Sequence, residues 1–172
     1  MNLKTTLETR RLILRAQTLD DIDAVYSWSS CPENVRYMAW GPHTDKEKTR
    51  LFLSKVKPGQ DFAIILKETG KVIGGGGIYI EDGALGWILH KDYHRKGYGT
   101  EFAAEMLRYG FKDLGLRRIV GHCAADNYGS RRVMERNGMR LEGLHKKAFW
   151  ARVDKEWIDD VVYAILAEEY EG

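Results

Sequence analysis

"LHKDYHRKGYGTEFAAEMLRYGF", Leu89 to Phe111, joins an apolar segment to an amphipathic one through a loop crowded with His94, Arg95, Lys96, Gly97 and Gly99. Beyond the loop, Ala103, Met106, Leu107, Gly110, Phe111 and Leu114 fall at i, i+3, i+4, i+7, i+8 and i+11. That is one face of a helix, stopped near Gly115. Before the loop, "GALGWIL" (83–89) reads as a strand. A helix that begins where a strand has just ended leaves several backbone N–H groups unpaired, and the positive end of its dipole points into the same space. Gly97 and Gly99 remove side chains that would keep a bulky anion from those amides, and Arg95 and Lys96 add positive charge. The residues alone leave two readings: a glycine-rich turn with exposed cations, or a pyrophosphate site. A dinucleotide fingerprint does not fit, because G-x-G lacks the third glycine and the preceding strands are antiparallel.

Working outward, "RLILR" (11–15) alternates polar and apolar residues as a half-buried strand, after which Thr18 or Asp20 can cap a helix through Ile22, Val25, Tyr26 and Trp28. A second helix runs from Asp45 to about Lys55, ended by Pro58-Gly59. "FAIIL" (62–66), a turn over Glu68, Thr69 and Gly70, and "KVIGGGGIYI" (71–80) form a hairpin that continues into Gly83 to Leu89, so the centre is an antiparallel meander. Gly74 to Gly77 lack the Lys-Ser/Thr of a Walker loop and sit in a strand pattern, which predicts a bulge or a close backbone approach. "RIVGHCA" (118–124) is a buried strand, Asn127 to Asn137 a short helix ended by a left-handed Gly138, and the remainder a final pair of strands.

Composition bounds the class. With 172 residues, 44% hydrophobic and 30% charged, the chain is expected to form a single domain spanning 1–172. No apolar run approaches the roughly 20 residues of a membrane span, and no basic segment with an apolar core opens the chain, so a cytoplasmic protein is expected. Cys31 and Cys123 form no CxxC pair and read as reduced structural thiols; no metal is expected. The formal charge of +2 is too small to argue for nucleic acid, although Arg131, Arg132, Arg136 and Lys146 could line a basic surface.

"LETRRLILR" near the start, "HRKGYGTE" at the turn, "ADNYGSRRVMERNGMRLEG" after a strand and "DDVVYAILAEEY" at the end occur in this order along nearly the whole chain. In that order and spacing the sequence resembles the GCN5-related N-acetyltransferase (GNAT) superfamily, and within it the RimJ/RimL-like branch. The resemblance implies an α+β fold: a mixed, mostly antiparallel sheet of six or seven strands, flanked by about four helices, with splayed central strands. It implies acetyl-CoA as cosubstrate and a primary amine as acceptor, either a protein N-terminus, ribosomal or other, or a small molecule. It also implies roles for residues. Arg95, Lys96, Gly97, Tyr98, Gly99 and Thr100 would hold the pyrophosphate, and Ile88, Leu89 and His90 would pair with the pantetheine through their main chain. Asn127 and Ser130 would stand on the opposite wall, with Ser130 next to the departing thiolate. Tyr163, in "VVYAIL", matches a tyrosine of the last strands and joins Ser130 as a catalytic candidate; a core tyrosine is its alternative reading. His94 departs from the Gln or Arg usual at its position, which leaves the amide cradle intact but weakens any side-chain contact from there.

Amide formation needs a neutral amine and donors for the thioester oxygen as it becomes negative; backbone N–H groups near Ile88 and Leu89 would supply the donors. Relatives in this branch carry a glutamate base in an E-x-G-Y stretch, which here reads Ala84-Leu85-Gly86-Trp87. Neutralising an α-amine of pKa near 7.8 at pH 7 costs about 1 kcal/mol, against almost 5 kcal/mol for a lysine amine near 10.4. The alanine therefore favours a low-pKa acceptor or a base from elsewhere, with Glu81, Asp82, His122 and Tyr163 as candidates. Tyr26, Trp28, Tyr37, Met38 and Trp40 surround the first helices, where the family forms one side of its acceptor cleft; most would be core. Two rival readings are a non-catalytic acyl-CoA-binding sensor or docking module and an RNA-associated protein using the basic helix. Pairing with a second copy is left open.

Overall fold

Leu12 and Leu14 are fully buried while Ile13 and Arg15 are half exposed, so the alternation of "RLILR" builds a strand as read. The computed structural model describes residues 3–172. Its strands are β1 (Thr6–Glu8), β2 (Leu12–Ala16), β3 (Asp61–Leu66), β4 (Val72–Tyr79), β5 (Ala84–Leu89), β6 (Arg118–Ala124), β7 (Arg140–Ala151) and β8 (Glu156–Leu166). Its helices are α1 (Ile22–Ser29), α2 (Pro32–Val35), α3 (Lys46–Leu53), α4 (Tyr98–Arg108) and α5 (Tyr128–Arg136). The strands form one sheet in the order β1-β2-β3-β4-β5-β6-β8-β7, antiparallel throughout except for the parallel pair β5 and β6. The two elements beyond the sequence reading are β1, of three residues, and α2, of four residues opened by Pro32; neither is long enough to display a period.

The glycine run of β4 is a close approach, as its strand context suggests. A Cβ on Gly74 would collide with the Ile88 carbonyl, one on Gly77 with the Gln60 carbonyl, and one on Gly76 would lie 2.8 Å from the Phe102 ring. The helical stripe after the loop is also realised, with Phe102, Ala103, Met106 and Leu107 buried. Past Arg108 the helix widens into a π-helical turn, Tyr109–Asp113. There Gly110 lets the backbone settle on Ile78 and Ile119, whose methyls would be 2.6 and 2.7 Å from an added Cβ.

Strand register assigns the two faces of the sheet. Ile78, Leu85 and Tyr163 lie on the α4/α5 side, where the main core forms. Ala84, Gly86 and Ile88 alternate to the opposite side, and Ile88 packs there against a smaller cluster of Val25, Trp28 and Leu53 with Trp40 and Phe52. Because Ala84 stands opposite Val120, this second face also carries His122 and Ala124 of β6, and Asp160 and Val162 of β8. Among the described residues, no helix is long and apolar enough to cross a membrane.

Candidate active site

The two edges of β5 behave differently. On one edge all six residues pair with β4, whereas on the other only Ala84↔Val120 and Leu85↔Gly121 pair with β6. Beyond those pairs the strands part, opening a gap in the middle of the sheet. The Val120 N–H donates to Gly83 O at 3.0 Å, so alternation turns the backbone of Leu85, Trp87 and Leu89 toward the gap. Ile88 and His90 face the other way, and the His90 N–H is given to Ile73 O at 2.8 Å. Main-chain contacts in the gap therefore fall to Trp87 and Leu89, with His90 committed to β4.

At the mouth of the gap, a 3-10 turn (Lys91–Tyr93) leads through Arg95 (φ 60°) and Gly97 (φ 80°) into α4. The first helical bond to Gly97 O comes from Glu101 N–H at 3.0 Å, and no side chain among the described residues caps the helix, so the amides of Tyr98, Gly99 and Thr100 lack helical acceptors. These residues fit a pyrophosphate. Gly99 is buried beside Leu89, Trp87 and Val133, all 3.5 to 3.7 Å from where a Cβ would be. Arg95 and Lys96 are exposed above it, while the Tyr98 ring is buried, leaving its amide as the available group. His94 folds back so that Nε2 donates to Leu89 O at 2.9 Å, pinning the loop to the strand end.

The sequence reading missed how this mouth is braced. Glu101 accepts from Thr9 Oγ1 at 2.6 Å, from Arg11 N–H at 2.7 Å and from Arg11 Nε at 2.6 Å. Arg11 also donates to Lys96 O at 3.0 Å and lies over the Tyr98 ring. Burial works against the Glu101 charge, but the bonds from Thr9 and Arg11 outweigh it and hold its pKa below the ordinary carboxylate value. The available signal was a charged "TRR" before a strand and a Glu in the first turn of α4, about ninety residues later.

On the far wall, Asn127 caps α5 by accepting from Ser130 N–H at 3.2 Å. Both residues are half-buried, and the Ser130 hydroxyl makes no hydrogen bond among the described residues. Tyr163 lies against the same helix. Its hydroxyl donates to Glu135 at 2.7 Å and accepts from Arg131 Nε at 3.2 Å, bracing α5 against β8, and the residue is 1% exposed. Of the other base candidates, Glu81 is paired to Lys57 at 2.8 Å and Asp82 caps Ala84 N–H at 3.0 Å. His122 Nδ1 lies 3.1 Å from Asp160 Oδ2, with its ring about half exposed. Burial, with Asp160 adding to it, pushes the Cys123 thiol up to about 12, so it is not a thiolate at neutral pH.

Trp28 is buried and meets Trp40 and Phe52 with ring centroids 6.3 and 6.5 Å apart. Tyr37 reaches across to Asp126, just past β6, at 3.3 Å. The first helices thus wall the face that carries Ala84, Gly86 and Ile88. Among the described residues, no group of three or more His, Cys, Asp or Glu could hold a metal.

A sheet parted between two parallel strands, with a bare helix entrance at the parting, is the arrangement that the resemblance to acyl-CoA-dependent acetyltransferases implies. The acetyltransferase (GNAT) domain model matches residues 11–140, and the chain belongs to this family of N-acetyltransferases, which use acetyl-CoA. It is 36% identical over 170 residues to the uncharacterized N-acetyltransferase YnaD of Bacillus subtilis, covering 95% of this chain and 98% of that one. A GNAT-family acetyltransferase from Bacillus anthracis superposes with a TM-score of 0.85 at 36% identity, over 95% of this chain and 99% of the other. The spermidine N-acetyltransferase of Vibrio cholerae, solved with CoA and spermine, shares the fold (TM-score 0.79, 95% and 100% covered) at 19% identity.

Proposed function

We propose that the chain transfers the acetyl group of acetyl-CoA to a primary amine, a protein N-terminal α-amine or a small-molecule amine, by direct attack in a ternary complex. The gap between β5 and β6, ending at the amides that open α4, carries this reading. Those amides, from Gly97 to Thr100, hold the pyrophosphate with Arg95 and Lys96. The pantetheine arm fills the gap between the backbone of Trp87 and Leu89 and the side chains of Asn127 and Ser130. In this reading the Leu89 and Trp87 amides donate to the developing oxyanion, and the Ser130 hydroxyl protonates the leaving thiolate. Cys123, held protonated, is unsuited to carry the acyl group. In this reading residues 1–172 act as one cytoplasmic domain.

The acceptor enters over the face lined by Tyr37, Trp40 and Ile88. This apolar wall suits a peptide end or a hydrophobic amine better than a polycation. Titration calorimetry with CoA, followed by thiol release on an amine panel, tests the proposal. Binding of CoA with turnover of an α-amino peptide is expected, with spermidine as the polyamine arm. A well-folded protein without CoA affinity would overturn it, and acetyl label retained on denatured protein would overturn direct attack. The second reading, an acyl-CoA sensor, draws on Ala84 at the usual glutamate position. CoA binding without thiol release for any amine would establish it.

A further inference from the structure

We infer that His122 is the general base of this acetyltransferase, oriented by Asp160, and that it takes over on β6 the task given up at Ala84 on β5. The inference rests on the proposed acetyl transfer to an amine. Three observations carry it. First, register places the two positions together: Ala84 stands opposite Val120, so the next residue of β6 on the same face is His122. His122 is also the first residue on that face past the last pair, Leu85↔Gly121, where the gap opens. Second, the space beside it is empty. Gly86, the β5 residue following Ala84 on this face, would carry a Cβ with no atom within 4 Å. Third, the ring is held in one orientation. Asp160 is 9% exposed, and its carboxylate lies 3.1 Å from His122 Nδ1, its one side-chain partner among the described residues.

A carboxylate oxygen accepts, so the tautomer this contact selects carries its hydrogen on Nδ1 and turns Nε2 outward on a half-exposed ring. The charged and titratable neighbours on this side are few. β8 contributes Asp160, and β7 contributes His145, in register with Asp160. β5 contributes no titratable group there, its residues on this face being Ala84, Gly86 and Ile88, and the segment after α2 contributes Tyr37, already hydrogen-bonded to Asp126.

The proton balance is simple. The ammonium form of the acceptor gives one proton to Nε2, and the freed nitrogen lone pair attacks the thioester carbon. The C–N bond forms, the C–S bond breaks, and the second nitrogen proton leaves with the sulfur by way of Ser130. His122 then releases its proton to solvent. Asp160 touches no reacting atom and is a positioning residue.

The test compares His122→Gln, Asp160→Asn and His122→Gln combined with Ala84→Glu, each against the wild type. Thiol release is measured at pH 7 with an alkylamine and with an α-amino peptide, CoA affinity by calorimetry, and the ring tautomer by nitrogen NMR without ligand. His122→Gln should lose about a hundredfold in turnover of the alkylamine and less than about tenfold with the α-amine, which costs only about 1 kcal/mol to neutralise at this pH. CoA affinity should stay unchanged. Restoring the carboxylate at Ala84 should return part of the alkylamine rate. Asp160→Asn should move the His122 hydrogen from Nδ1 to Nε2 and slow the alkylamine reaction. A His122→Gln enzyme with wild-type rates on both amines overturns the assignment and leaves the acetyltransferase reading intact. Equal loss of CoA affinity and turnover overturns it in favour of a structural histidine. A wild type that binds no CoA brings down both.

Discussion

β5 has one closed edge and one open edge, and glycine serves both for opposite reasons. Along β4, Gly74, Gly76 and Gly77 are glycines because neighbouring backbone or the Phe102 ring occupies the place of a side chain. Across the pair, Gly86 stands opposite Gly77, yet a Cβ there would meet nothing within 4 Å. Gly76 lets the sheet close on Phe102 of α4, while Gly74 lets β4 lie tight against β5 and Gly77 against the segment entering β3. Gly86 keeps free the space beside the parting strands. A glycine in a strand thus has to be read by what surrounds it.

The largest expected effect comes from breaking the closed edge. Gly76→Val drives a side chain into Phe102 and the Gly86 carbonyl and should cost at least about 3 kcal/mol, measured by urea unfolding. On the open edge, Gly86→Val should leave stability within about 1 kcal/mol and CoA affinity unchanged, while amine turnover falls about tenfold, roughly 1.4 kcal/mol of barrier. The mouth of the gap should respond to Gly97→Ala, because φ of 80° disfavours an L side chain by about 1–2 kcal/mol. CoA affinity should fall with it, as calorimetry can show. Tyr163→Phe frees Arg131 and Glu135 on the far wall and should cost about 1 kcal/mol of stability, with turnover within twofold of wild type. This separates an α5 brace from a proton donor.

The smallest effect concerns pH. The Glu101 pKa is lower in the folded state than its ordinary value, so its contribution is complete above the unfolded pKa and is lost as pH falls through the folded one. The protection factor of the Glu101 amide, bonded to Gly97 O, should therefore fall below about pH 4, and Glu101→Gln should abolish that step.

Much of this arrangement was legible along the chain. Alternation wrote β2, runs bounded by turn residues wrote β3 to β5, and the shift to period three or four after Leu89 wrote α4. Gly97 and Gly99 marked a bare helix entrance. What escaped is held by partners distant in sequence. Arg11 and Glu101 meet across 90 residues, and His122 and Asp160 across 38. The two-pair junction of β5 with β6 follows from where parallel strands diverge, which no local pattern encodes. Tyr163 lies at a legible position, but its hydroxyl direction depends on which face of α5 rests on β8.

The two pairs joining β5 to β6 also have a mechanical meaning, since among the described residues they are the only rungs linking the five strands on one side of the sheet to the three on the other. The molecule is built with a seam, and an occupant of the gap supplies the missing mortar. Heating curves should then shift upward with cosubstrate concentration, and amides flanking the seam should gain more protection than those of β2 or β3.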